Sequence, residues 1–458
     1  MSAVFEWGAQ AVAPLLGPAG LERTLAWRDG HAIGARAFLA DVATVAAMLP
    51  SARGAINLCE DRYAFLVAFC AVACRGQTNL LPPARVTHAL DEVQAAFPGS
   101  YALGDQALRP APDRYLRIPS LDHGRGAGGV PAIAVDHVVA IGFTSGSTGQ
   151  PKPNPKTWRA LRESTARNVE ALSGVLQLAP GGCANIVATV PPQHMYGIEL
   201  SILLPLLGPF AVHGARPLFP ADVVAALSGI PEPRLLVTTP VHLRALLRDG
   251  VRLPKLAAIT SATAPLAAEL AAEAEARLGA PVLELFGSTE TCVIARRRCA
   301  RETDWRLHDG ISLHPQPDGT VVEAPYFDQP VALSDLVELV PPHGFRLRGR
   351  HADLVEIAGK RASLADLTRR VLALAGVEDA VVVQLDEADG FGVRRIAALV
   401  VAPARDEGGL LADLREAVDA AFLPRPLRKV ARLPRNETGK LPRSALLELL
   451  RGASRGSA

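Results

Sequence analysis

Apolar residues along the chain fall into runs of two kinds. AINLC from Ala55, TNLLP from Thr78, NIVATV from Asn185, RLLVTT from Arg234, KLAAIT from Lys255 and VLELF from Val282 are short, apolar and bounded by turn residues, which reads as buried strand. Between them lie DRYAFLVAFCAVAC from Asp61, HALDEVQAAF from His88 and PLAAELAAEAEARL from Pro265, which have helical length and spacing. Strands alternating with helices of this size predict a layered α/β fold with mostly parallel sheets. From Ile311 to Arg350 the helices stop. GTVVEAP and LSDLVELV, separated by Pro and Gly, predict a small antiparallel β unit. After Arg350 a second pattern starts, with SLADLTRRVLALAG and LLADLREAVDAAF as helices and DAVVVQL, RRIAALVVAP and LRKVARL as strands. These predict a large N-terminal domain over 1–349 and a small α+β C-terminal domain over 350–458.

Composition narrows the function. The 458 residues carry 48 basic and 46 acidic side chains, a net charge of +2, with 49% hydrophobic residues. A near-neutral chain of this size builds a large core and is not a nucleic-acid binder over its whole surface. The longest apolar stretch, LSILLPLLGPFAV from Leu200, is too short to span a bilayer and is interrupted by Pro205 and Pro209. The first twenty residues hold Glu6 but neither Lys nor Arg, so no signal peptide and a cytoplasmic location are expected. The six cysteines, at 59, 70, 74, 183, 292 and 299, form no CxxC pair and read as reduced, buried thiols. Only six basic residues are lysine, at 152, 156, 255, 360, 429 and 440. Lysine is a flexible point charge, so its few positions in an arginine-rich chain are candidates for work that arginine's planar fork does less well.

Two motif spellings lack their context. GRGAGG at 124–129 has no strand before it or helix after it, and GASRG at 452–456 lies on the terminal tail. VVAIGFTSGSTGQPK, from Val138 to Lys152, is different. An apolar strand enters a loop of Thr144, Ser145, Gly146, Ser147, Thr148 and Gly149, closed by Pro151 and Lys152. Glycines let backbone N–H groups converge on an anion, hydroxyls add donors and the lysine adds charge, so this loop is expected to cradle a polyphosphate.

TSGSTGQPK resembles the signature loop of the adenylate-forming superfamily, which includes acyl- and aryl-CoA synthetases, luciferases and peptide-synthetase adenylation domains. FGSTE at 286–290, LRGRHADLVEIAGKR at 347–361 and LPRNETGKLPR at 433–443 resemble three further family motifs in the same order. The resemblance implies ATP and Mg²⁺ as cofactors, with Thr144 to Gly149 and Lys152 on the β- and γ-phosphates. It places Ser261, Ala262 and Thr263 beside adenine, Phe286 stacked on the base with Gly287 and Ser288 next to it, and Thr289 on the α-phosphate. Glu290 would bind Mg²⁺, Asp335 and Arg350 would hold the ribose, and Lys440 would bridge the acid's carboxylate and the α-phosphate. His194, Tyr196, Gly197, Thr239 and Val293 would line the acid pocket. Ala352 and Asp353 would form the hinge, and Gly359 and Lys360 would face the thiol channel.

Such a site joins two anions, which requires concentrated positive charge where negative charge builds up in the transition state. The expected reaction is attack of a small carboxylic acid on ATP to give acyl-AMP, then transfer to a phosphopantetheine thiol of CoA or of an acyl carrier protein. The PKPNPKTW spelling after the loop, where the family usually has glycine in place of Pro153, is similar to ligases of aryl-polyene and xanthomonadin-type pigment pathways. That resemblance points to a hydroxybenzoate-type aryl acid. Alternatives are a medium-chain or 3-hydroxy fatty acid, and a catalytically idle nucleotide-binding regulator. Arg425, Arg428, Lys429, Arg432, Arg435, Lys440 and Arg443, opposed only by Glu437, predict a positive face suited to an acidic carrier protein.

Overall fold

The computed structural model describes residues 11–82, 85–121, 129–145, 151–179, 181–350, 354–357, 360–388, 394–436 and 439–453. It divides into two compact units. The first comprises Met1–Thr303 with Leu307–Gly310 and Pro325–Asp328; the second comprises Asp304–Arg306, Ile311–Ala324 and Gln329–Ala458. The small β unit thus groups with the C-terminal residues. The boundary at 350 expected from the change in element pattern remains a proposal.

In the first unit the predicted strands join others in two large sheets with predominantly parallel connections. One has the order Pro151–Thr157, Val138–Ser145, Thr78–Leu81, Gly54–Asn57, Tyr101–Gly104, Tyr115–Arg117. Only its first pair is antiparallel. The other runs Cys292–Arg297, Val282–Ser288, Ala258–Ser261, Arg234–Thr238, Ala184–Ala188, Phe210–His213, Thr24–Arg28, His31–Gly34, antiparallel only at its two ends. Parallel strands are covered on both faces, and Ile186, Val237, Leu235 and Phe210 are fully buried.

Helix Arg62–Cys74 packs between the sheets and is buried along nearly its whole length. Asp61 caps it by accepting the Ala64 N–H. Its Arg62 guanidinium is fully buried and donates to the carbonyls of Ala188 and Val190 and to Ser201 Oγ. These neutral acceptors engage both terminal nitrogens across two layers, while the buried Nε has no hydrogen-bond partner. Desolvation, with Arg216 adding repulsion, pulls its pKa down to about 9.

The second unit carries an antiparallel sheet over Ser312–Gln316, Gly319–Glu323 and Val331–Leu333, and the antiparallel pair Asp335–Val340 and Gly344–Arg350. Its C-terminal part is a three-stranded sheet in which Asp379–Ala388 and Arg394–Val401 are antiparallel, with Leu427–Lys429 parallel to the latter. Alternate residues of Arg394–Val401 serve two cores. Ala398 and Val400 pack with Leu367, Val371, Leu410 and Leu414, whereas Ala397 and Leu399 pack with Leu446 and Leu450. The expected α/β class, large sheet-rich part and small α+β part are therefore present.

Candidate active site

The strand–loop–lysine motif folds as a hairpin edge. Val138–Ser145 pairs antiparallel with Pro151–Thr157, so that Lys152 stands opposite Thr144, Asn154 opposite Gly142 and Lys156 opposite Ala140. Pro151, Pro153 and Pro155 alternate with these residues, which puts their missing N–H groups on the outer side of an edge strand, where no ladder bond is lost. Asn154 Nδ2 donates to Thr144 Oγ1 at 3.4 Å and to the Lys152 carbonyl at 3.0 Å, bracing the mouth of the hairpin. Gly146, Ser147, Thr148 and Gly149 lie outside the described residues, and only the backbone of Ser145 is described.

The FGSTE residues form the bend between strands Val282–Ser288 and Cys292–Arg297. Ser288 Oγ accepts the N–H groups of Glu290 and Thr291, each at 3.2 Å. Thr291 Oγ1 accepts the Ser288 N–H and donates to the Cys292 carbonyl. Cys292 has φ +63°, a left-handed conformation that costs a non-glycine residue about 1 kcal/mol or more. Gly287 has no alternative, because a Cβ there would lie 2.1 Å from the Cys292 oxygen. Thr289 and Glu290 are half-buried on this bend.

Two buried charges absent from the sequence-derived site flank it. Lys156 is 6% exposed, and its Nζ donates to the Glu290 carbonyl at 2.5 Å. Glu199 is 1% exposed, on a π-helical turn Glu199–Leu203, and accepts the Val293 N–H, the Ser164 hydroxyl and the Asn168 amide. Burial raises the Glu199 carboxyl pKa, while these three donors and the Lys156 charge pull it back down. Lys156 had a sequence signal as one of six lysines. Glu199 had one too, as the only carboxylate in the apolar run after His194.

Toward the expected acid pocket, His194 precedes the short helix Met195–Ile198, and Met195, Tyr196 and Gly197 are buried. The Tyr196 hydroxyl donates to Thr260 Oγ1 at 3.0 Å, and burial pushes its pKa well up. A Cβ at Gly197 would sit 2.0 Å from the Pro191 oxygen. Thr239 caps helix Pro240–Asp249, and its hydroxyl shares His242 Nδ1 with Thr189. Ser261 ends strand Ala258–Ser261 with a buried, unpartnered hydroxyl, next to Ala262 and to Thr263 at φ +78°. Phe286 is half-buried and Val293 buried.

In the second unit Asp335 and Arg350 are register partners across the antiparallel pair, so the two residues expected at one ribose are neighbours in space. Lys440 is exposed at the end of a turn closed by Asn436 N–H to the Lys440 carbonyl and Lys440 N–H to Asn436 Oδ1, both 2.9 Å. Arg435 supports that turn, gripping both oxygens of Asp379 and donating to the Gly439 carbonyl. Lys360 pairs with Ile357 in a two-stranded ribbon, while Ala352, Asp353 and Gly359 lie outside the described residues. The expected positive face is thinner than its sequence. Arg428 pairs with Glu407, Arg435 with Asp379 and Arg443 with Asp386, leaving Arg425, Lys429 and Arg432 exposed without an ion pair among the described residues.

Among the described residues no three His, Cys, Asp or Glu side chains group to hold a metal, and no helix is long and apolar enough to cross a membrane. Four of the six thiols are buried, and Cys74 and Cys183 are half-buried.

Residues 55–321 match the family model described as AMP-binding enzyme. The 4-coumarate–CoA ligase of Halorhodospira halophila is 30% identical over 328 residues, covering 68% of this chain and 77% of that protein. The sulfoacetate–CoA ligase of Cupriavidus necator is 25% identical over 82% of this chain and 83% of its own. Among solved structures, the o-succinylbenzoate CoA synthetase of Bacillus subtilis with its acyl-adenylate intermediate superposes with a TM-score of 0.78 at 19% identity, covering 95% of this chain and 98% of that one. The same synthetase in complex with ATP and magnesium ion also gives 0.78, at 18% identity over 95% and 99%.

Proposed function

Given that the chain belongs to the AMP-binding enzyme family and is an adenylate-forming acid–thiol ligase, we propose that it activates a hydroxybenzoate-type aryl acid and transfers it to a phosphopantetheine thiol, of CoA or of an acyl carrier protein. One observation carries the assignment of the site. The single strand Pro151–Thr157 presents Lys152 opposite Thr144 and, four residues on, holds the carbonyl of Glu290 through Lys156. The expected phosphate loop and the expected metal carboxylate are thereby joined in one piece.

The donors fit Mg²⁺ and ATP. A cation would be held by one carboxylate, Glu290, together with the nucleotide's own phosphate oxygens, which is how Mg²⁺ usually binds. When bound it supplies neutralisation of phosphate charge. Thr144 to Gly149 and Lys152 hold the β- and γ-phosphates, Thr289 the α-phosphate, Ser261 to Thr263 and Phe286 the adenine, and Asp335 and Arg350 the ribose. A carboxylate oxygen of the acid bonds to the α-phosphorus, the bond to the bridging oxygen of pyrophosphate breaks, and Lys440 offsets the charge between the two anions. The thiol then attacks the acyl carbonyl, its proton passes to solvent, and AMP leaves. In that second step the segment 359–361 replaces the lysine turn, with 350–458 acting as the mobile domain about Ala352 and Asp353.

The aryl reading is supported by Tyr196, a rigid buried ring beside His194 with its hydroxyl already engaged, and by the relatives' action on 4-coumarate. A cytoplasmic location fits six unpaired thiols. ATP–pyrophosphate exchange across benzoates, hydroxybenzoates, cinnamates and C6 to C14 fatty acids tests it. Fastest exchange with a hydroxybenzoate is the expected result, decanoate or longer acids being fastest would replace the aryl acid by a fatty one, and exchange with none would mark an idle regulator.

A further inference from the structure

The backbone that carries Thr289 and Glu290 is held on both sides by buried charges of opposite sign. On one side Lys156 Nζ donates to the Glu290 carbonyl. On the other, both Glu199 oxygens accept the Val293 N–H, at 3.0 and 3.1 Å. Between these anchors lie Thr291 and Cys292, the latter in the left-handed region. A strained residue persists only where its surroundings over-determine it.

Neither charge serves a surface role. Lys156 is 6% and Glu199 1% exposed, and each acts on the other electrostatically. A buried ammonium and carboxylate cost more to desolvate than neutral residues of the same size, so a stable core alone does not call for them. What they have in common is the bend. Lys156 also lies on the hairpin face that bears Lys152, four residues from it, so the same strand reaches both the phosphate loop and the carboxylate bend.

We propose that Lys156 and Glu199 are a pair of positioning residues that clamp the Ser288–Val293 bend, setting where Thr289 and Glu290 meet the magnesium-bound triphosphate. This rests on the assignment of Glu290 to Mg²⁺ above. Lys156 acts through the carbonyl of Glu290 and not through its carboxylate.

The test measures ATP binding by calorimetry with and without Mg²⁺, and pyrophosphate exchange against free Mg²⁺, for the parent, Lys156→Arg, Lys156→Met and Lys156→Met/Glu199→Gln. In the parent Mg²⁺ tightens ATP binding. Lys156→Met is expected to lose that tightening by about tenfold and to need about tenfold more free Mg²⁺ for half-maximal exchange, with metal-free ATP affinity within about twofold. Lys156→Arg, which keeps a cationic donor, should recover part of both. The double variant leaves no unmatched buried charge, so it carries the measurement if Lys156→Met does not fold. A folded Lys156→Met or double variant with the parent's Mg²⁺ dependence in both assays overturns the clamp. A parent whose ATP binding ignores Mg²⁺ overturns the Glu290 assignment and the clamp with it.

Discussion

Gly142 lies so close to Thr289 that a Cβ built on it would be 2.7 Å from Thr289 Cγ2 and 3.5 Å from Met195 Cε. The hairpin backbone and the FGSTE bend are therefore in contact at the point where an α-phosphate contact is proposed. Because the obstacle is the end of a side chain, Gly142→Ala should displace Thr289 rather than unfold the protein. Pyrophosphate exchange should fall at least tenfold while the thermal midpoint moves by only a few degrees. Retention of full exchange would show that Thr289 is not held to a fixed place.

Lys440 stands on a turn pinned by Asn436 and Arg435, with its side chain exposed. If only the first half-reaction uses it, Lys440→Ala should abolish acyl-AMP formation and spare thioester formation from supplied acyl-AMP. Parallel loss of both steps would contradict the division of labour.

His308 is 6% exposed, and neither ring nitrogen has a partner. Desolvation, reinforced by Arg296 and Arg167, lowers its pKa to about 4. The folded protein thus keeps it neutral, while the unfolded chain takes up a proton below about pH 6.5. Its contribution is complete above pH 6.5 and is lost as pH falls toward 4, about 3 kcal/mol over that window. Urea midpoints at pH 7, 5.5 and 4.5 should fall less steeply for His308→Gln than for the parent. Equal slopes would mean that the ring is protonated in the fold.

For the carrier-protein reading, the ion pairs narrow the choice of residues. Reversing Arg428 would also break its pair with Glu407, so Arg425→Glu and Arg432→Glu are the cleaner variants. They should raise the KM for an acidic carrier several-fold, more at low salt, and leave pyrophosphate exchange unchanged. An unaltered KM would leave CoA as the natural acceptor.

The layers of the fold were legible because each strand is a short apolar run ended by a turn, and each helix has its own spacing. NIVATV became Ala184–Ala188 and the run after Asp61 became Arg62–Cys74. The Pro151–Thr157 strand was hidden because three prolines in seven residues argue against a strand anywhere except an edge, and edge position is a tertiary fact. The roles of Lys156 and Glu199 were hidden for a similar reason, since the main-chain groups of the bend that they hold are 134 and 94 residues away. Three cations of the charged face pair with carboxylates that come from distant strands and a helix, at Asp379, Asp386 and Glu407. Spacing within one segment cannot reveal them.

The strand Thr24–Arg28 pairs with Phe210–His213, and Arg23 donates to the carbonyl of Phe210, 187 residues later. On a ribosome adding about 5–20 residues per second, this N-terminal strand, with Leu25 and Ala26 destined for full burial, waits roughly ten to forty seconds for its partner. The nascent chain therefore carries an uncovered apolar edge through most of the synthesis of its first unit. Rapid overproduction at high temperature should send it into inclusion bodies, and slower translation in the cold, or a holding chaperone, should recover soluble protein.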